Sequence, residues 1–337
     1  VLKFYIENIN DEFIPQHNQN MLTSAIEKLS EIVFNPYTEN GEFKKEYVEQ
    51  EKNNIKQKIE GKIDNKARYA LNRCIEEMYK DEPFGLFKFG YIEDLEKIDA
   101  KNLYEYYQNL IKNCKIDIFV SGIVPDNIEQ LIEENENIAK LQERQADYVI
   151  PAITKKETNQ KENIVTESME VTQGKLVLGL DINLENENQK YDALLYNSIL
   201  GGTANSKMFQ NVREKAHLAY VASSSYSRQK SNIFINCGIE IANYEKALEI
   251  VKKQIEDMKN GEFTEDDIQN AKKGIISTID LIDDEQDTGI TYYFGQELSA
   301  HKIGPDEYKE KVEKIQKEDI VKIANAISIN TIYFLKD

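Results

Sequence analysis

The sequence predicts an α+β fold made of two copies of one domain, each an antiparallel sheet with helices on one face. Three observations carry this prediction. The segment Asn40-Gly41-Glu42-Phe43 recurs as Asn260-Gly261-Glu262-Phe263. Apolar residues fall at helical spacing over 21–33 and 245–258, the stripe of a helix with one buried side. Ile233, Ile235, Cys237, Ile239 and Ile241 occupy every second position, the period of a strand with one buried face.

The repeat extends well beyond its tetrapeptide. At the same offset of 220, Lys52 meets Lys272, Ile55 meets Ile275, Ile59 meets Ile279, Asp64 meets Asp284 and Glu77 meets Glu297. Upstream, Ala25-Ile26-Glu27 matches Ala247-Leu248-Glu249; downstream, Leu95-Glu96-Lys97-Ile98 matches Val312-Glu313-Lys314-Ile315. Self-similarity at this period implies a duplicated structural unit. Each copy is expected to close on a strand, marked by Ile116, Ile118 and Val120 in the first and by the β-branched and aromatic run Thr331–Leu335 in the second.

The second copy starts near Ile164, with strands expected at 175–180, 218–226 and 231–241 and helices at 190–200 and 206–214. In the first copy the counterpart of strand 231–241 is Val1–Glu7, where Leu2, Phe4 and Ile6 alternate with Lys3, Tyr5 and Glu7. By its own repeat the first copy is therefore expected to lack roughly 69 residues, the stretch from Ile164 to Asn232 in the second. The expected organisation is residues 1–139 as the remainder of a first domain, 140–163 as a polar linker holding Pro151, and 164–337 as a complete second domain.

Composition narrows the function. The 337 residues carry 60 acidic against 42 basic side chains, a net charge of −18. That balance disfavours nucleic acid and anionic membranes, whose phosphates call for clustered Lys and Arg. No apolar run approaches the roughly 18 residues that a spanning helix needs. The cysteines Cys74, Cys114 and Cys237 are odd in number and widely spaced. They read as small buried apolar residues in a reducing, cytoplasmic protein. Gly202 to Lys207 lacks the second glycine of a phosphate loop and has Met208 in place of its hydroxyl residue. The acids Asp280, Asp283, Asp284, Glu285 and Asp287 lack the spacing of a calcium loop and read as a solvated helix end.

The segment Phe209-Gln210-Asn211-Val212-Arg213-Glu214-Lys215-Ala216-His217-Leu218-Ala219-Tyr220 resembles the second-domain signature of pitrilysin/insulinase-type peptidases, the inverzincins, a group that includes the mitochondrial processing peptidases. Gly201-Gly202 before it, Pro83-Phe84-Gly85 and Ser121-Gly122 fit the same pattern. The resemblance implies the metallohydrolase-like fold of that family, in which paired two-domain units enclose a chamber. It also implies that Arg213 and Tyr220 face a bound peptide. Within the family the nearest look is to the inactive bacterial type associated with aminopentanol modification of elongation factor P.

The chemistry of that pair stands without the family. Arginine offers a permanent planar donor fork, and a tyrosine hydroxyl can donate to an oxygen that gains negative charge at a tetrahedral intermediate. The plainer reading is that Arg213 caps a helix end and Tyr220 packs at the start of a strand.

Active members of the family hold zinc with an H-x-x-E-H helix and a distal Glu. This chain has only His17, His217 and His301, no two at helical spacing. By the family pattern the distal Glu follows another Glu by seven residues; here Glu51 is followed by Lys58. An ammonium group at a ligand position opposes a divalent cation, unless Lys58 is simply a solvated helix lysine outside that register. No metal or cofactor is therefore expected in this chain, and zinc is expected in an active partner. The resemblance implies a catalytically inactive subunit that pairs with a zinc-bearing peptidase subunit of the same family, or forms a homo-oligomer, and contributes Arg213 and Tyr220 to binding of a peptide substrate. Two alternatives stay open: a fragment of an active zinc peptidase, and a structural subunit of the core-protein type.

Overall fold

The computed structural model describes residues 1–14, 20–141, 161–299 and 301–337. Linker residues 142–160 and His17 lie outside the described residues. The N-terminal part runs α1 (Met21–Phe34), β1 (Thr38–Glu39), β2 (Glu42–Phe43), α2 (Lys45–Glu60), α3 (Lys66–Met78), α4 (Ile92–Leu95), α5 (Ala100–Asn113) and α6 (Ile128–Glu133). Two compact units emerge: Val1–Gln57 with Tyr91–Val149, and Lys58–Gly90 with Ile150–Asp337. The partition therefore differs from a single cut at the linker, because residues 58–90 join the second unit.

In the first unit a tight hairpin pairs β1 with β2, turning through Asn40 and Gly41 at φ 56° and 81°. These left-handed values suit an Asn-Gly pair. Phe43 then meets Tyr104 and Tyr107 of α5 edge to face, with ring centroids 5.1 and 5.7 Å away. The Tyr107 hydroxyl donates to the Val33 carbonyl of α1 at 2.6 Å. Asp99 and Asn102 form a reciprocal capping box that fixes the start of α5. Neither Val1–Glu7 nor Ile116–Val120 is a strand. Their alternation is present, but a strand needs a hydrogen-bonded neighbour as well as a pattern, and among the described residues the ladder of this unit is confined to β1 and β2. Leu2, Ile6 and Ile118 are accordingly exposed.

The second unit is built on β3 (Asn163–Ser168), β4 (Gly174–Ile182), β5 (Ala219–Ser227), β6 (Asn232–Ile239) and β7 (Ile327–Lys336), ordered β3-β7-β4-β6-β5. All pairings are antiparallel except β3 with β7, which is parallel. Its helices are α7 (Gln189–Asn197), α8 (Tyr244–Lys259), α9 (Glu265–Asp284), α10 (Gln286–Glu297), α11 (Pro305–Lys314) and α12 (Lys317–Asn325). Strand alternation sends Leu176, Leu178 and Leu180 of β4 and Ile233, Ile235 and Cys237 of β6 to one face, where they pack with Leu195, Val251 and Ile323 from α7, α8 and α12.

The other face is not solvated, contrary to a one-sided sheet. Val177, Phe234, Tyr333 and Leu335 emerge there and pack with Tyr69, Ala70 and Cys74 of α3. Burying such side chains is worth about 1.5–3 kcal/mol each, which is why an apolar second face recruits a helix from elsewhere in the chain. Cys74 and Cys237 are buried as expected, whereas Cys114 is exposed.

Element boundaries follow the sequence repeat. Helices α2 and α9 begin at Lys45 and Glu265, and α3 and α10 at Lys66 and Gln286, each pair 220 residues apart. The repeated lysines do the same work in each setting: Lys52 Nζ donates to the Ile98 carbonyl at 2.7 Å and Lys272 Nζ to the Glu313 carbonyl at 2.8 Å.

Candidate functional site

The site is assembled by the segment from α7 to β5. Helix α7 loosens at its end into a π turn, Ser198–Gly202, which lies against β5 closely enough that a Cβ on Gly201 would stand 2.6 Å from the Ser224 backbone nitrogen. Asn197 Oδ1 accepts from the Ser224 hydroxyl at 2.8 Å in the same buried contact. The glycine is thus required by close approach rather than by φ. A second π turn, Phe209–Lys215, carries Arg213. Its end is closed by Ala216 N–H donating to the Asn211 carbonyl at 3.3 Å and Leu218 N–H to the Val212 carbonyl at 3.1 Å.

Between turn and strand stands His217 at φ 52°, a conformation uncommon for a residue with a side chain and one that concentrates at functional sites. It reverses the chain so that β5 starts beside the turn that precedes it. The β5–β6 register then slips: Ala219 pairs with Ile239 and Val221 with Gly238, leaving Tyr220 as the extra residue of a bulge. Bulges re-aim a side chain and mark sheet edges, and β5 is one of the two edge strands of this sheet. Tyr220 is 73% exposed.

The two expected donors therefore lie on adjoining, rigidly held elements, both open to solvent. The Arg213 side chain is 45% exposed, stacks 4.6 Å from the Phe209 ring centroid and touches Glu214 at 3.4 Å. An exposed ion pair of that length is weak, so the guanidinium is available. Arg213 lies in the last turn of its helical segment, where a cation suits the helix end, and Tyr220 stands at the start of β5 without packing into the core. The sequence reading passed over His217 and the bulge. A histidine between a helix and a strand has no sequence mark of positive φ, and a bulge is a property of two strands at once.

Lys58 lies exposed near the end of α2, its Nζ 5.6 Å from the Phe89 ring centroid. Glu51, seven residues earlier on that helix, accepts from Asn54 at 3.2 Å. Among the described residues no group of three or more His, Cys, Asp or Glu side chains could hold a metal ion. Lys58 and the residues around it do not fit a zinc site. Among the described residues, too, no helix is long and apolar enough to cross a membrane.

The second unit is thus a mixed α/β sheet module with an exposed Arg/Tyr pair at one edge. The comparisons with known proteins specify it. The family model described as Peptidase M16 inactive domain matches residues 97–275. The Bacillus subtilis protein called probable inactive metalloprotease YmfF is 35% identical over 342 residues, spanning the whole of this chain and 78% of that one. An uncharacterized zinc protease of the same organism, YmxG, is 23% identical over 74% of this chain and 58% of its own length. A solved structure, a conserved protein from Enterococcus faecalis, superposes with a TM-score of 0.86 at 24% identity over 97% of this chain and 76% of that one. The chain belongs to the peptidase M16 family, as its resemblance to pitrilysin/insulinase-type enzymes implied.

Proposed function

We propose that this chain is a catalytically inactive M16 subunit that pairs with a zinc-bearing member of the family and lends Arg213 and Tyr220 to the peptide held there. The observation that carries the reading is the exposure of both side chains on elements fixed by buried contacts. Two donors held on rigid backbone and left without a buried acceptor are arranged to meet something outside the chain. Tyr220 stands on an edge strand, whose unpaired backbone can take up an extended peptide as a further strand.

The division of labour follows from chemistry. Zinc, bound in the partner, would polarise the scissile carbonyl and activate water. The side chains of this chain would act on charge and position: the Tyr220 hydroxyl donating to an oxygen that becomes negative, Arg213 holding a carbonyl or carboxylate of the peptide. That one relative is called a probable inactive metalloprotease and others uncharacterized zinc proteases supports the presence of inactive and zinc-bearing members in one family. The test is reconstitution: this protein is mixed with a zinc-bearing family member from the same cell, and cleavage of an unstructured peptide is followed. Cleavage that requires both proteins supports the reading. A complex that forms but cleaves equally well with Arg213→Ala and Tyr220→Phe points instead to a structural subunit of the core-protein type.

A further inference from the structure

At the far end of β5 the chain reverses through Arg228, Gln229 and Lys230, closed by the Ser231 N–H donating to the Ser227 carbonyl at 2.8 Å with Ser231 at φ 52°. This turn brings Arg228 to a cavity of about 400 Å3, bordered also by Asn188 just before α7, by Tyr191 of α7, by His301 and Lys302, and by Lys311 of α11. The lining residues are mostly polar, with the Tyr191 ring on one side and Tyr308 behind it. Tyr191 and Tyr308 meet edge to face at 5.0 Å, and the Arg228 guanidinium lies 4.7 Å from the first ring centroid and 5.7 Å from the second.

The charges of the cavity are unevenly matched. Its acids are engaged, Glu187 with Lys190 at 2.7 Å and Glu307 with Lys311 at 3.5 Å. Lys302 pairs with Glu297 at 2.7 Å. Arg228, by contrast, donates to the neutral Tyr191 hydroxyl at 2.8 Å, and among the described residues no carboxylate forms an ion pair with it. Arg73 in the same unit holds three carboxylates. In a chain with 60 acids to 42 bases, a half-buried guanidinium without an acid is the exception. One donor of five is used, and stacking on the tyrosines fixes the plane of the rest, so a fork is left ready for a bidentate acceptor. Lys311 Nζ also lies 5.7 Å from the Tyr191 ring centroid. Lys311 is already balanced by Glu307 and donates to Asn188 Oδ1 at 3.1 Å, so of the two cations on this ring Arg228 is the one left for an anion.

We propose that this cavity is a carboxylate-binding subsite anchored by Arg228, taking the free C-terminal carboxylate of a peptide or a small organic acid. Planar carboxylate matches the fork, and the Tyr191 ring with Ile303 gives an apolar surface for the carbon chain behind it. The subsite belongs to this chain alone and is independent of any pairing with a zinc-bearing subunit.

Calorimetric titration of the full chain with acetyl-Ala-Ala, with its C-terminal amide and with glutarate tests this. The acid should bind about tenfold or more tightly than the amide, the loss expected when a hydrogen bond to a charged group is removed. Arg228→Gln should erase the difference, and Arg228→Lys should restore part of it. Glutarate binding as tightly as the peptide acid assigns the subsite to small organic acids, and much weaker glutarate binding assigns it to peptide termini; either supports a carboxylate site. If Arg228→Gln fails to fold, the comparison of acid with amide on the unaltered protein decides. Equal binding of acid and amide, no binding of any carboxylate probe, or an acid preference that survives Arg228→Gln in folded protein overturns the proposal.

Discussion

Tyr69 on α3 donates its hydroxyl proton to Glu167 on β3 at 2.5 Å, across 98 residues of chain. The same carboxylate accepts from the Tyr333 hydroxyl of β7 at 2.7 Å and from Arg73 Nε at 3.1 Å, so one side chain ties the helix to two neighbouring strands. Burial pushes the Glu167 carboxyl up, but the hydrogen bonds from Tyr69, Tyr333 and Arg73 overcome that and hold it below its ordinary value. A carboxyl whose folded-state pKa is depressed stabilises the fold above its unfolded pKa and loses that contribution as pH falls through the folded value. Glu167→Gln should therefore cost about 1–3 kcal/mol at pH 7. The penalty should shrink on acidification below about pH 4, the ordinary Glu range. Urea unfolding of both proteins between pH 3 and 7, followed by exchange protection of α3, checks it.

Asp192 on α7 has the opposite sign. Burial first and the nearby Asp319 second raise its carboxyl to about 6, with Lys322 only partly offsetting them. Here the folded state holds the proton more tightly than the unfolded chain, so stability is fullest below the unfolded value and falls as pH rises through about 6. Asp192→Asn should raise stability at pH 7.5 by about 1 kcal/mol, discounted for partial exposure. It should give no gain at pH 4. Melting curves at the two pH values distinguish this from a general packing effect, which would move both.

Two helical glycines should respond in opposite ways to alanine. At Gly201 the new Cβ meets backbone of β5 at 2.6 Å, which cannot rotate away, so Gly201→Ala should destabilise by about 1–3 kcal/mol, the usual cost of overpacking. Gly274 in α9 has nothing within 4 Å of that position. Gly274→Ala should be neutral or stabilise by up to about 1 kcal/mol through helix propensity. Denaturant midpoints of the two variants settle the contrast.

For the proposed site the expected signature is loss of turnover without loss of fold. Tyr220 and Arg213 are exposed, so Tyr220→Phe and Arg213→Ala should leave the unfolding free energy of this chain within about 0.5 kcal/mol of the original. In the reconstituted pair, removing the Tyr220 hydroxyl should lower kcat by about 10²–10³, the worth of one donor to a developing oxyanion. Arg213→Ala should raise KM as well, and Arg213→Lys should not rescue it where contact is bidentate. Zinc bound by the partner, measured by metal analysis, should be unchanged by any of these.

The sequence by itself determined the second unit's strands and helices, because period-two and helical spacing record which side of each element is buried: β4, β5, β6, α7 and α8 lie where 175–180, 218–226, 231–241, 190–200 and 245–258 placed them. Within the sequence repeat, the glycines of Asn-Gly at 40–41 and 260–261 both take up positive φ. A local motif also singled out Arg213 and Tyr220 as candidates, and both side chains stand exposed. Only the tertiary structure decided that Val1–Glu7 and Ile116–Val120 are not strands, because alternation gives a face and not a neighbour to pair with. Only it showed that α3 covers the second face of the sheet, because the contact between Tyr69 and Glu167 joins residues whose separation in sequence carries no periodic signal. The bulge that exposes Tyr220 and the cavity around Arg228 are of the same kind. The first depends on a register between two strands. The second depends on a turn, a helix start and a loop meeting at one point, and a pattern read along one segment cannot contain either.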